Sequence, residues 1–483
     1  VNVSRQAGLL ATWIVLALSG FVSAPLAAQT PSAAEEEARP DIGADPAVPP
    51  GPAVPSDPAG STGAASGPAS SDASGDSHPT LSVGGWRITW DDGLRYELRQ
   101  LVPFVRPSEW LPSPRVEGRP RVRGKIGLKL QVDGALYNAG SGMPSVDDGA
   151  EVRRARLFTE GEFFLVRPID YRLEFGIANE SVYLNDFYLG LHDLPVVGTL
   201  RVGQMKPPFS LDRLTSSLDT TFMERASPVD AFAPGYLAGV LVQNHGLDGR
   251  LTGAIGWFSD GTGDDSGDAS ESLSRVVGRV TWLPQDDESS GVRRLVHLGL
   301  SGSYVFSPSE TIRYRSRPES HLAPYLVDTG DIDAQSSGLI GLEAAVVHGP
   351  FTLQGEGIVA LVDPQSGRGQ AFWGVNVFGS WFLTGESRPY DRQTGVFTAV
   401  VPRKPFSFQT WGPGAWELKL RWSYTDLDDG PVHGGRMGIL SAGVNWYLDG
   451  HWRMTVEYLF THTDGPSGDG TLHILQSRLQ LRF

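Results

Sequence analysis

The sequence predicts an all-β fold, a transmembrane antiparallel β-barrel of about 16 strands behind a disordered N-terminal leader. Three observations carry that expectation. From residue 125 to the last residue, segments of about ten residues that alternate apolar and polar recur between turn-forming residues. Beyond the N-terminus no run of about 18 apolar residues exists, so strands are the only way this chain could cross a bilayer. Finally, 59 Gly, 13 Trp, 13 Tyr and 21 Phe spread over 483 residues suit many short strands joined by tight turns.

Residues 1–28 have the layout of a secretory signal peptide: basic Arg5, an apolar run over 8–18, and a small-residue exit at Pro25-Leu26-Ala27-Ala28. Cleavage is expected after Ala28. The alternative, a membrane-anchoring helix, is disfavoured because the apolar run is short and a polar tail follows at once. Residues 29–80 are almost entirely Pro, Ala, Gly, Ser, Asp and Glu. With little apolar surface to bury, they cannot offset the entropy of ordering and read as a disordered periplasmic linker. About half of the net charge of −15 lies in this leader, so overall acidity says little about the folded part. Residues 81–124 form a short pre-barrel segment and 125–483 the barrel.

The first full strand covers 125–137, with Ile126, Leu128, Leu130, Val132 and Leu136 on one face and Lys129, Gln131 and Asp133 on the other. The same alternation places Tyr171 and Leu173 opposite Arg172 and Glu174, Leu418 and Leu420 opposite Lys419 and Arg421, and Val456 and Tyr458 opposite Glu457. A soluble β-sandwich would alternate too, but its packed core would have to bury many charges, each at several kcal/mol, whereas a wet lumen avoids that cost. Aromatic residues near strand ends, Trp282, Phe306, Trp446, Tyr447 and Tyr458, suit an interfacial girdle. The chain ends on a strand that turns Leu479, Leu481 and Phe483 one way and Arg478, Gln480 and Arg482 the other; a barrel closes by pairing such a strand with the first. Strand candidates number sixteen or seventeen, 311–317 being the doubtful one, and single-chain barrels favour the even number.

By parity Lys129, Arg154, Arg156, Arg172, Arg201, Arg275, Arg279, Lys419, Arg421, Arg453 and Arg478 face the lumen. The inward carboxylates are Asp133, Glu160, Glu162, Asp170, Glu174, Glu417 and Glu457, which leaves a basic surplus. Cations lining a narrow, low-dielectric passage favour anions, and the guanidinium fork donates two parallel hydrogen bonds to an oxyanion. Each inward arginine has a plainer role open to it, an ion pair that stiffens the wall.

Several segments resemble the phosphate-selective porin O and P family in order and spacing: Val152-Arg-Arg-Ala-Arg-Leu157, Ile169-Asp-Tyr-Arg-Leu-Glu-Phe175, Leu184-Asn-Asp-Phe-Tyr-Leu189, Leu200-Arg-Val-Gly-Gln-Met-Lys-Pro-Pro-Phe-Ser210 and Leu214-Thr-Ser-Ser-Leu-Asp-Thr-Thr-Phe-Met-Glu-Arg225. The resemblance implies a homotrimeric sixteen-stranded porin of the bacterial outer membrane, surrounded by lipid, that passes small anions such as phosphate. It implies an inward constriction loop at 210–236, between strands ending at Phe209 and starting at Leu237, with Arg213, Asp219, Glu224 and Arg225 as its candidate site residues. The family's paired arginines match Arg153 and Arg154. Strict alternation turns Arg154 inward and Arg153 outward, so Arg153 needs a strand start, a bulge or an interfacial position. Lysine is scarce, limited to Lys125, Lys129, Lys206, Lys404 and Lys419, which departs from the family's lysine-rich lining. A general diffusion pore with balanced inner charge is the competing expectation.

An enzyme is not expected: there is no Ser, His and Asp grouping on the loops, no metal-ligand spacing among the ten histidines, and no phosphate-binding loop. With no cysteine, thiolate metal sites and disulfides are excluded. Cofactors, metals and nucleic acid are not expected as partners. An adhesion barrel is disfavoured by loops expected to be modest in length and poor in aromatics.

Overall fold

The computed structural model describes residues 80–83, 86–90, 94–98, 122–164, 168–178, 181–259, 274–288, 291–306 and 311–483. The expected signal peptide, and all but the last residue of the expected linker, lie outside these.

Sixteen antiparallel strands form a closed barrel: β1 (Val122–Ala139), β2 (Gly149–Phe164), β3 (Pro168–Ala178), β4 (Ser181–Leu194), β5 (Gly198–Met205), β6 (Leu237–Gly246), β7 (Leu251–Ser259), β8 (Ser274–Asp287), β9 (Arg294–Phe306), β10 (Ile332–His348), β11 (Phe351–Pro364), β12 (Gln370–Phe382), β13 (Ala415–Asp429), β14 (Val432–Tyr447), β15 (Trp452–Gly465) and β16 (Gly468–Arg482). Each pairs with its neighbours in sequence, and β16 returns to β1 from Leu472 opposite Ala139 to Arg482 opposite Lys129. Phe483 extends the seam, exchanging two backbone hydrogen bonds of 2.9 Å with Leu128. The start of β1 lies beyond the seam and pairs instead with Leu94–Leu98, the last of three short antiparallel strands that begin at Thr80–Val83 and continue through Trp86–Trp90. That sheet covers an edge which closure alone would leave open. Below, the rim where β1 starts and β16 ends is called lower, and its opposite upper.

The period of two holds around the wall. Outward Ile177, Leu189, Leu353 and Leu420 are each more than half exposed, a placement suited to hydrocarbon. Trp282, Phe306 and Tyr458 also face out. Tyr447 does not join the girdle. It directly follows outward Trp446, so the pleat turns it inward, where it is buried and its hydroxyl donates to Glu417 at 2.8 Å.

Among the described residues three connections fold back inside. Residues 206–236 enter from the upper rim with two short helices, α1 (Leu211–Leu214) and α2 (Ser227–Phe232). The strand before this loop ends at Met205 rather than Phe209, because Pro207 and Pro208 lack the N–H a ladder needs. The connection between β9 and β10 enters from the same rim. Its 311–317 stretch is not a barrel strand: Thr311–Ile312 pairs with the first two residues of β10, and Arg315–Ser316 pairs with Val327–Asp328 in a small hairpin. Residues 383–414 enter from the lower rim.

The interior is therefore filled in layers, where alternation alone suggests a lumen that is wet throughout. In the upper layer Phe209, Val229 and Phe232 pack with Leu326 of the second loop against wall residues such as Phe372, Ile439 and Ile474. In the lower layer Val396 and Phe397 pack with Leu211, Leu283, Leu295 and Val347. Charged side chains from many strands form the belt between.

Candidate pore constriction

The belt begins with a departure from alternation. Gln131 of β1 faces Arg154 of β2, but the next residue, Val132, faces Val152. Arg153 is the extra residue of a β-bulge, so two consecutive arginines turn inward, 6% and 2% exposed. A second bulge on β4 does the same for Asn185 and Asp186: Leu173 of β3 faces Phe187, yet Phe175 faces Leu184. Both interruptions fall where a polar pair stands in an otherwise alternating run.

Arg153 and Arg154 meet Glu224 of the upper loop. Arg153 grips its carboxylate at two points, Nε to Oε1 at 2.9 Å and Nη2 to Oε2 at 3.1 Å. Arg154 donates through Nη1 to Gln131 at 2.7 Å, and its Nη2 stands 3.5 Å from Glu224. Arg478 pairs with both oxygens of Asp133 at 2.7 and 2.6 Å and reaches Glu224 at 2.5 Å. Burial would raise the Glu224 carboxyl, but Arg153, Arg154 and Arg478 outweigh it and hold the group well below its ordinary value.

A second cluster centres on Glu174, which receives Lys129 at 2.8 Å, Arg156 at 3.3 Å and Arg172 at 2.7 Å; Arg172 also pairs with Glu160. Across the seam, on β13, β15 and β16, the cations hold the upper loop by its main chain. Lys419 donates to the carbonyl of Thr221 at 2.7 Å and pairs with Glu457 at 2.6 Å. Arg453 bonds the carbonyl of Thr220 at 2.8 Å, Arg421 that of Glu224 at 3.0 Å, and Arg478 that of Met223. The Glu457 carboxylate accepts from the Met223 N–H at 2.8 Å.

The remaining predicted residues lie apart from these clusters. Arg201 sits over the Tyr188 ring, 4.9 Å from its centroid, with Nε 3.6 Å from Asp170. Arg279 pairs with Glu343 at 2.6 Å and donates to the Gly395 carbonyl at 2.8 Å, at the tip of the lower loop. Gly395 has φ of +69°, and a Cβ there would meet the Thr281 hydroxyl at 2.9 Å, so glycine lets the tip come this close. Arg275 reaches the Ser303 hydroxyl at 3.4 Å. Within the upper loop Arg213 bonds the Pro234 carbonyl at 2.9 Å, Arg225 bonds those of Asp212, Arg213 and Thr215 at 3.1 Å, and Asp219 pairs with Arg482.

Several participants have no counterpart in the sequence reading. Asp186, Glu343 and Glu356 add carboxylates to the wall and narrow its basic surplus; the parity of β10 and β11 would have found Glu343 and Glu356. Glu356 accepts from Ser210 Oγ and the Asp212 N–H, both at 2.6 Å, and so caps α1. Glu319, from the second upper loop, pairs with Arg421 and accepts from the Ser227 N–H at 3.0 Å. Arg388 of the lower loop bonds Gln354 at 3.1 Å and the Asp219 carbonyl at 3.4 Å, joining the segments that enter from opposite rims. Nothing local in the sequence marks Glu319 or Arg388. Between the wall and the tip of the lower loop lies a cavity of about 70 Å³, whose charged lining is Arg201, Lys206, Arg279 and Asp186. Among the described residues no group of three or more acidic or histidine side chains is placed to hold a metal ion.

A curated relative, an uncharacterized protein of Caulobacter vibrioides, is 29% identical over 403 residues, 79% of this chain and 78% of its own. Similar solved structures include OmpT, an outer membrane protein of Vibrio cholerae, with TM-score 0.49 and 10% identity over 75% of this chain and 98% of that one. An anion-selective porin from Comamonas acidovorans gives TM-score 0.46 and 12% identity over 75% of this chain and all, 100%, of that one. The family model for phosphate-selective porin O and P matches residues 125–483, the whole barrel, and the chain accordingly belongs to that family of outer-membrane porins.

Proposed function

We propose that this porin prefers anions and admits small oxyanions such as phosphate by passive diffusion, as a homotrimer with its lower rim in the periplasm. Residues 1–28 serve as signal peptide and 29–80 as a periplasmic linker in this reading. The observation that carries the preference is the lining of the cavity beside the lower loop, which fronts the space with Arg201, Lys206 and Arg279 and with Asp186 as its one carboxylate, the paired Asp170 and Glu343 lying outside that lining. Behind low-dielectric walls such an excess draws in anions and repels cations more strongly than it would in bulk water.

The test is the reversal potential of the purified protein in a planar bilayer under a KCl gradient. Chloride is expected to be favoured. Arg201→Gln should move the potential toward zero, since it removes one of the three cations that line the cavity. The wall carboxylates Asp186, Glu343 and Glu356 favour the competing reading, a general diffusion pore, which predicts no preference and no effect of Arg201→Gln.

A further inference from the structure

The environment of Glu224 has a composition that loop docking alone does not require. Arg478 is largely satisfied by its two-point pairing with Asp133. Arg153 and Arg154 both face the carboxylate of Glu224, and it does not saturate Arg154: Nη2 stays 3.5 Å away, and Nε is buried with no hydrogen-bond partner. The arginines are closed off, 5% and 2% exposed in their side chains, while Glu224 keeps 14% of its own in the open. The part of this cluster nearest the remaining space is thus the anion itself, held in the two-point manner by which guanidinium groups bind small oxyanions.

The main chain at this position is fastened independently. The Glu224 carbonyl accepts from Arg421, the Met223 carbonyl from Arg478, and the Met223 N–H donates to Glu457. The carboxylate can therefore leave without the loop losing its anchorage.

We propose that Glu224 determines selectivity: its carboxylate occupies an oxyanion seat formed by Arg153 and Arg154, and a small permeating oxyanion binds there by exchanging with it. The seat deepens the anion-preferring reading above and rests on it. Exchange keeps the charge at the arginines balanced, so they never stand bare in a low-dielectric wall. With Glu224 in place binding is weak, because the solute competes with a tethered rival at high effective concentration.

The test compares wild type, Glu224→Gln and Glu224→Ala in planar bilayers, first in a KCl gradient and then with inorganic phosphate added. A heat-modifiable band on SDS gels reports the folded barrel. Both variants are expected to shift the reversal potential toward chloride and to be blocked at phosphate concentrations at least about tenfold below those the wild type needs, equivalent to about 1.4 kcal/mol. Adding Arg154→Gln should remove the gained block. Folded variants with wild-type selectivity and block would overturn the seat. So would a rise in conductance without added anion preference, or failure of both variants to give a folded barrel, since either makes Glu224 a strut for the loop. The two proposals fail separately: an anion-preferring wild type with inert Glu224 variants removes only the seat. An unselective wild type whose variants gain preference and block removes the native anion reading and keeps the seat.

Discussion

A single extra residue decides what β2 offers the interior. Without the bulge Arg153 would point at lipid beside outward Leu157; with it, Arg153 and Arg154 converge on one carboxylate from a loop 71 residues further along the chain. Deleting Arg153 should leave a foldable strand, because the remaining residues alternate without it, and should shift the reversal potential toward cations as Glu224 loses its two-point partner. Loss of the heat-modifiable band would instead show that the bulge is needed for closure. The sequence carries both halves of this feature, the arginine pair and its conflict with alternation. What it lacks is the anion, since Glu224 reaches the pair only through tertiary docking. The same holds for Arg421, whose inward facing follows from parity, whereas its partners, the Glu224 carbonyl and Glu319, come from two different loops.

At the scale of elements, the strands are legible and the inward loops much less so. Period-two alternation is a local property of each strand, repeated with few exceptions from β1 to β16. The 383–414 connection has no comparable period. Its Gly385 and Gly395, with φ of +90° and +69°, read as turn residues, and nothing nearby announces that Arg388 will reach Gln354. The upper loop at 206–236 stands out through its length and the family resemblance, not through any pattern of its own. Because β12 and β13 pair directly up to Phe382 opposite Glu417, the lower loop is not needed to hold them together. Replacing residues 386–400 with a short Gly-Ser turn should leave the barrel assembled and raise single-channel conductance at least about twofold, since loop shortening costs little in closure entropy. An unchanged conductance would mean that the current runs elsewhere.

For the whole molecule, closure and the layered interior are separate achievements. Closure depends on the seam between β1 and β16, to which the last residues contribute the Arg482 pairing with Lys129 and the two bonds between Phe483 and Leu128. Removing residues 479–483 should abolish the heat-modifiable band, because the lower half of the seam would expose unpaired backbone to hydrocarbon, where each unsatisfied group costs several kcal/mol. The interior depends on loops from both rims meeting at the charged belt, and there the mode of attachment matters. The wall hydrogen-bonds residues 218–224 of the upper loop largely through their carbonyl groups, which every amino acid supplies. Backbone anchorage at Asp219 and Glu224, the two residues of that stretch that are not buried, therefore outlasts a change of side chain there. The chemistry presented to a passing solute can be rewritten at those two positions, one substitution at a time, on a backbone that stays fastened.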